Sequence, residues 1–139
     1  MLDVGCGYGR MLKLFDQRGI GVDFGEKQTE NKNGLKIIKA DITQKIPFPD
    51  NSFDLVYTAG VLMHIPPFKI KKARNEIFRV AKKHILLIES TDKTYHMFGY
   101  DNTKWLKEKG CEIIDVLNET AYPPKKKDRK MQIVLAKKD

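Results

Sequence analysis

Leu2-Asp3-Val4-Gly5-Cys6-Gly7-Tyr8-Gly9-Arg10 is the stretch on which the fold turns. A short apolar strand, Met1 to Val4, runs into three glycines spaced two apart. Tyr8, Met11, Leu12 and Phe15 then recur at helical spacing, and Gly19 supplies a stop. Glycines this dense remove the Cβ atoms that would keep a ligand off the backbone. They also deliver it to the first turn of a helix, where unpaired N–H groups favour a negative group such as a carboxylate. A nucleotide-like ligand at the end of strand one of an open α/β sheet is the physical implication. The dinucleotide fingerprint counted from Gly5 and Gly7 would need a third glycine where Arg10 stands, and an arginine opposes the close helix–strand packing that glycine serves. A plain strand-to-helix turn remains the alternative at this point.

The chain onward alternates strand and helix. Ile20 to Phe24 reads as a second strand, and the polar segment Gly25 to Gly34, with Asn31 and Asn33 near its end, has too few apolar residues for more than a short helix. Leu35 to Ala40 is a third strand, Pro47, Pro49, Asp50, Asn51 and Ser52 form a turn, and Phe53 to Tyr57 is a fourth strand. Pro66 and Pro67 open the best helix, with Ile70, Ala73, Ile77, Val80 and Ala81 on one face and Lys69, Lys72, Asn75, Arg79 and Lys83 on the other. Ile85 to Ile88 is a continuous apolar strand of the kind buried on both faces in a parallel sheet. Asp101 or Asn102 caps a short helix through Trp105 and Leu106 that stops at Gly110. Two strands follow, Glu112 to Leu117 and Met131 to Ala136, joined by a Pro and Lys loop. The expected fold is α/β: a Rossmann-like, doubly wound, seven-stranded sheet, mostly parallel, closing on an antiparallel hairpin.

Asp3, Asp23 and Asp41 each fall at the expected C-terminal end of one of the first three strands, where open α/β sheets bind ligands. A carboxylate at strand two can accept hydrogen bonds from both ribose hydroxyls, and one at strand three can accept from an adenine amino group. Three acids at matching strand ends favour an adenosine-binding crevice over three unrelated turn residues.

The segments Asp3 to Gly9, Gly21-Val22-Asp23, Ala40-Asp41-Ile42, Ile46-Pro47-Phe48 with Asp50 to Val56, and Val61 to Ile65 resemble, in order, the successive motifs of class I S-adenosylmethionine-dependent methyltransferases of the small-molecule type. The resemblance runs from Met1 to about Ser90 and implies S-adenosylmethionine as cofactor. It places Gly5, Gly7 and Gly9 under the methionine part, Asp23 at the ribose, and Asp41 with Ile42 at the adenine, and it counts Asp3, Cys6, Tyr8 and Phe24 among the cofactor-binding residues as well. It brings Thr58, Ala59 and Gly60 toward the methionine end. Members of the family usually carry helices before the first strand, so the resemblance also implies one domain over 1–139 without those lid helices, loose cofactor binding and slow turnover. The Gly60 to Ser90 stretch faintly resembles methylases of surface-sugar biosynthesis, which suggests a sugar or another metabolite as acceptor.

Two histidines are candidates for the chemistry. His64, between strand four and its helix, suits a general base at neutral pH, and His96 lies in a segment after strand five that could be a substrate loop. His84 starts a buried strand and reads as structural. The two prolines after Ile65 read as a helix start, not as the Asn-Pro-Pro-Tyr-like motif of nucleic-acid amino methyltransferases, because Thr58-Ala59-Gly60 occupies the place that motif needs.

Composition bounds the remainder. With 139 residues, 41 % hydrophobic and 32 % charged, the chain suits one globular domain and is not a disordered segment. No apolar run reaches membrane-span length. Two cysteines, Cys6 and Cys111, form no metal or disulfide pattern, no metal site is expected, and a cytoplasmic location follows. Cys6 reads as a small filler inside the glycine turn. The net charge of +8 admits a second reading, an RNA-directed methyltransferase or RNA-binding module using clusters such as Lys69, Lys71, Lys72 and Arg74, Lys82 and Lys83, and Lys125-Lys126-Lys127. No aromatic residues interleave with those clusters, so a solvated surface is favoured. A third reading is a truncated, weakly active methyltransferase fold.

Overall fold

A computed structural model describes residues 1–15, 18–30, 34–120 and 129–139, so Asn31, Asn33 and the Lys125-Lys126-Lys127 run lie outside the described residues. In chain order the elements are β1 (Leu2–Val4), α1 (Arg10–Leu14), β2 (Ile20–Asp23), α2 (Glu26–Glu30), β3 (Lys36–Lys39) and β4 (Phe53–Ala59). A single 3-10 turn, Leu62–His64, leads to α3 (Pro67–Val80) and β5 (Ala81–Ser90). Then come β6 (Lys93–Thr94), β7 (Met97–Phe98), α4 (Asn102–Glu108), β8 (Glu112–Thr120) and β9 (Lys130–Lys137).

Seven strands form one sheet in the order β3-β2-β1-β4-β5-β9-β8. The first five are parallel, with Asp3 opposite Gly21 on one side and Tyr57 on the other. β9 pairs antiparallel with both β5 and β8, so the hairpin is present but its second strand is the inner one. The chain winds outward from β1 to β3 and then returns to place β4 on the other side of β1. That reversal opens a crevice between the loops after β1 and β4.

α3 follows its pattern closely: Pro66 is the N-cap, Pro67 the first helical residue, and Ile70, Ala73, Ile77 and Val80 are buried against the sheet. Proline at that position loses nothing, since its missing N–H would be unpaired there anyway. Asp101 caps α4, accepting from Lys104 N–H at 2.8 Å. Two expectations need correction. α1 is five residues long and stops at Phe15, well before Gly19, with Leu12 its one buried residue. Phe15 leaves helical geometry and its ring lies 5.5 Å from that of Tyr57. β5 begins at Ala81 directly after α3, so Lys82 and Lys83 are strand residues; Lys83 pairs with Asp54 across the ladder at 3.3 Å.

Candidate functional site

The site starts from β1 and β2. At the end of β1 the chain turns sharply, and the N–H groups of Gly5 and Cys6 both donate to the carbonyl of Val22, at 2.8 and 3.1 Å. Gly5 has φ +71, and a Cβ there would meet the Val61 methyls at 2.5 and 2.7 Å. Only glycine fits, because the loop after β4 is packed directly against the glycine turn. Cys6 is the filler expected: it is buried with Leu12, Leu35 and Ile37, its Sγ fills the space beside Gly21, and burial pushes its thiol up to about 12. A thiol so hard to ionise is no nucleophile at neutral pH.

Asp23, the last residue of β2, is buried with its carboxylate tied at both ends: Oδ2 accepts from Gly7 N–H and Oδ1 from Gly25 N–H, each at 2.9 Å. Each oxygen keeps a further lone pair for a ligand. Asp41 stands just past the end of β3 and is exposed, with Oδ1 accepting from both the backbone N–H (2.8 Å) and the hydroxyl (2.7 Å) of Thr43. That arrangement fixes one oxygen and leaves the other open.

These residues meet in a cavity of about 500 Å³ at the C-terminal ends of the strands. Of the residues singled out in the sequence, Gly5, Asp23, Phe24, Asp41, Ile42, Gly60 and His64 line it. Ala40, Thr43, Val61, Ile65, Pro66 and Lys69 complete the wall. Its size suits a nucleoside-sized ligand. The donor set also suits one: acids at two strand ends, a glycine backbone with no side chain in the way, and Phe24, 78 % exposed, as an apolar surface.

Other candidates sit outside that wall. Asp3 is in the middle of β1, not at its end, because Val4 still pairs with Val22 and Thr58. It is 2 % exposed, and its Oδ2 and the Tyr57 hydroxyl are both buried without a well-formed hydrogen bond. Burial pushes the Asp3 carboxyl up to about 7; the neighbouring Tyr57 hydroxyl pulls the other way, and the charge of Asp23 adds to the rise. Gly7, Tyr8 and Gly9 belong to the turn but not to the cavity wall, and Tyr8 faces solvent. Thr58 is fully buried and Ala59 half-buried behind the wall.

The histidines divide their roles. His64 ends the 3-10 turn on the cavity wall, and its Nδ1 lies 3.0 Å from the backbone carbonyl of His96. A carbonyl only accepts, so Nδ1 carries a proton, and in the neutral ring the lone pair lies on Nε2. His96 is absent from the wall; its ring packs edge-on against Tyr95, and what it offers His64 is its main chain. The segment that presents it is a small hairpin, β6 with β7, stacked beside the 3-10 turn. Among the described residues, no group of three or more His, Cys, Asp or Glu side chains is placed to hold a metal ion, and no helix is long and apolar enough to cross a membrane.

One residue of this region was missed in the sequence. Glu89, near the end of β5, is 1 % exposed and accepts from the Thr58 hydroxyl at 2.6 Å, from Val61 N–H at 3.1 and 3.0 Å, and from Met63 N–H at 3.2 Å. A single acid in an otherwise apolar strand, Ile85-Leu86-Leu87-Ile88-Glu89, was the one available hint.

Comparison with known proteins agrees with this geometry. The family model described as "Methyltransferase domain" matches residues 2–88. The sterol 24-C-methyltransferase of Aspergillus fumigatus is 34 % identical over 96 residues, covering 59 % of this chain and 25 % of that protein. Phosphoethanolamine N-methyltransferase 1 of Arabidopsis thaliana is 27 % identical over 153 residues, covering 98 % of this chain and 29 % of that one. The chain thus spans between a quarter and a third of the length of these curated relatives. Magnesium protoporphyrin IX methyltransferase from Synechocystis, solved with bound S-adenosylmethionine, superposes with a TM-score of 0.76 at 17 % identity, over 99 % of this chain and 69 % of that one.

Proposed function

The chain belongs to the methyltransferase-domain family, of the class I S-adenosylmethionine-dependent kind, and we propose that it transfers a methyl group from that cofactor to a small-molecule acceptor. The observation that carries this reading is one cavity joining Asp23, Asp41 and the Gly5 turn to His64 and Lys69. S-adenosylmethionine supplies a methyl group already activated by its positive sulfur.

The chain's own residues then hold and align. The free lone pairs of Asp23, whose carboxylate Gly7 and Gly25 N–H hold in place, would accept from the ribose hydroxyls, bonds of the stronger, charge-assisted kind. The open oxygen of Asp41 would accept from the adenine amino group, with Ile42 and Phe24 on the same wall as apolar surface for the ring. Gly5, lacking a side chain, lets the ligand lie against the backbone, and Gly60 approaches the methionine end. At the opposite wall His64, with Nδ1–H directed to the His96 carbonyl, takes a proton from the acceptor on Nε2. That step is needed when the acceptor nucleophile is protonated at neutral pH. The protein's remaining task is to hold the nucleophile in line with the methyl carbon and keep water out.

The acceptor end has its own chemistry. Lys69 lines the wall half-buried, and among the described residues no carboxylate pairs with it. A cation there with no carboxylate partner among the described residues favours an acceptor that carries an anionic group. One relative is named for phosphoethanolamine and another for a sterol, so the atom methylated differs between relatives. A sugar acceptor has no counterpart in those two names.

The test is transfer of labelled methyl from S-adenosylmethionine to matched pairs, beginning with phosphoethanolamine against ethanolamine, with bulk RNA as a third arm. The reading predicts label on the anionic member, with a loss of roughly a hundredfold on His64→Gln. Label on RNA in preference to every small acceptor would overturn it in favour of nucleic-acid methylation.

A further inference from the structure

The loop after β4 forms one wall of the cavity through Gly60, Val61, His64, Ile65 and Pro66. Loops of this length with few internal bonds are ordinarily mobile. Here the main chain is tied from behind. Glu89 reaches under the loop from β5, and its carboxylate takes Val61 N–H on both oxygens and Met63 N–H on one, besides the Thr58 hydroxyl at the end of β4. Val61 is the N-cap residue and Met63 the second residue of the 3-10 turn that carries His64, so the carboxylate occupies the place of an N-terminal cap. No residue of the turn itself supplies that cap, since Val61 precedes it without a side-chain bond. The same bonds press Val61 onto Gly5 across the cavity floor.

We infer that Glu89 is a positioning residue for methyl transfer: by capping the 3-10 turn it sets the distance between the glycine turn, where the cofactor lies, and His64, where the acceptor is deprotonated. This rests on the reading of the cavity given above. Burial of an acid in a sheet is costly and an apolar residue would pack there more cheaply. The expense is explained if the bonds hold a working loop. Glutamine is the probe, because it keeps the shape but removes the charge and one acceptor, leaving a single neutral oxygen to hold Val61 and Met63 N–H, a weaker cap.

The experiment compares the full chain with Glu89→Gln and with Val80→Ala, a buried change at the opposite end of α3 and the sheet. Affinity for S-adenosylhomocysteine is measured by calorimetry, and amide hydrogen exchange at Val61 and Met63 by NMR. Glu89→Gln is expected to weaken binding by about tenfold and to speed exchange at both amides, whereas Val80→Ala, equally destabilised, keeps affinity within about twofold. Equal losses in the two variants would make Glu89 merely structural and overturn the inference, as would wild-type affinity in Glu89→Gln. Should Glu89→Gln not fold, Glu89→Asp, which keeps the charge but withdraws it from the loop, must show the same pattern. Failure of the wild-type chain to bind S-adenosylhomocysteine would count against the methyltransferase reading instead, and the two amides would still report on the cap.

Discussion

Asp3 and Asp23 are neighbours in space with opposite fates, and the difference is hydrogen bonding. Asp23 accepts two backbone N–H bonds at the cavity wall, while Asp3 sits one strand over with an oxygen buried and unpartnered. With burial pushing it up to about 7 from an ordinary 3.8, the Asp3 carboxyl holds its proton in the folded chain where the unfolded chain has already lost it. Stability contributed by this group therefore falls as pH rises from about 4 to about 7 and stays low above that. Asp3→Asn should gain about 2–4 kcal/mol at pH 8 and little near pH 4, read from urea unfolding at the two pH values. A gain of the same size at both would show that the buried charge is not the cause. At this scale the sequence located the acids but not their surroundings. Asp3 and Asp23 look alike as strand acids, and only the extent of β1, with Val4 still in the ladder, separates them. Glu89 was hidden for the same reason: its value lies in donors some 26 to 31 residues away in the chain.

Elements governed by local pattern were legible. The glycine turn, β2 with its terminal acid, the short α2 and the apolar face of α3 follow directly from spacing and from proline chemistry. Elements governed by distant partners were not. Spacing placed Arg79 on the polar face of α3 and said nothing of its partners, yet it turns onto the loop after β3. It forks onto Glu76 at 2.8 and 2.7 Å, reaches Asp50 at 2.9 Å, and donates to the carbonyls of Phe48 and Ile46. Glu76 in turn accepts from Ile46 N–H at 2.7 Å, and the Arg79 fork holds its carboxyl below the usual range. Such a network fixes the Ile46–Asp50 turn that precedes β4. Arg79→Met should cost about 2 kcal/mol at neutral pH, since it strands several partly buried acceptors. The wild-type advantage should be complete above the ordinary glutamate range and fade as pH falls below it, because a depressed folded value is lost on protonation. Urea unfolding of both proteins at pH 7 and near pH 3.5 measures this. An advantage that grows in acid would contradict it.

At the scale of the molecule the alternation of strands and helices gave the parallel half of the sheet, and the hairpin gave its antiparallel edge. The inner place of β9 has a composition reason: it carries Met131, Ile133, Val134, Leu135 and Ala136, whereas β8 carries Glu112, Asp115, Asn118 and Glu119. The charged strand takes the edge, where polar side chains also discourage pairing with other chains. Part of the basic excess is likewise taken up by partners within the chain. Arg79 is held in its network, Lys39 pairs with Glu26 at 2.6 Å, and Lys138 donates to Asn51 and to the carbonyls of Phe78 and Ala81, each at 2.8 Å. These cations serve loops and strand ends, which weakens the argument from net charge to nucleic acid.

The account stands on the cavity between β1 and β4 being an adenosine site with Asp23 at its ribose end. Titration of the chain with S-adenosylhomocysteine, alongside NAD and alongside the Asp23→Ala variant, tests it most directly. The prediction is one site per chain for S-adenosylhomocysteine, none for NAD, and a loss of about 2–3 kcal/mol on Asp23→Ala as two charge-assisted bonds disappear. Binding of NAD without S-adenosylhomocysteine, or an affinity indifferent to Asp23, would contradict it.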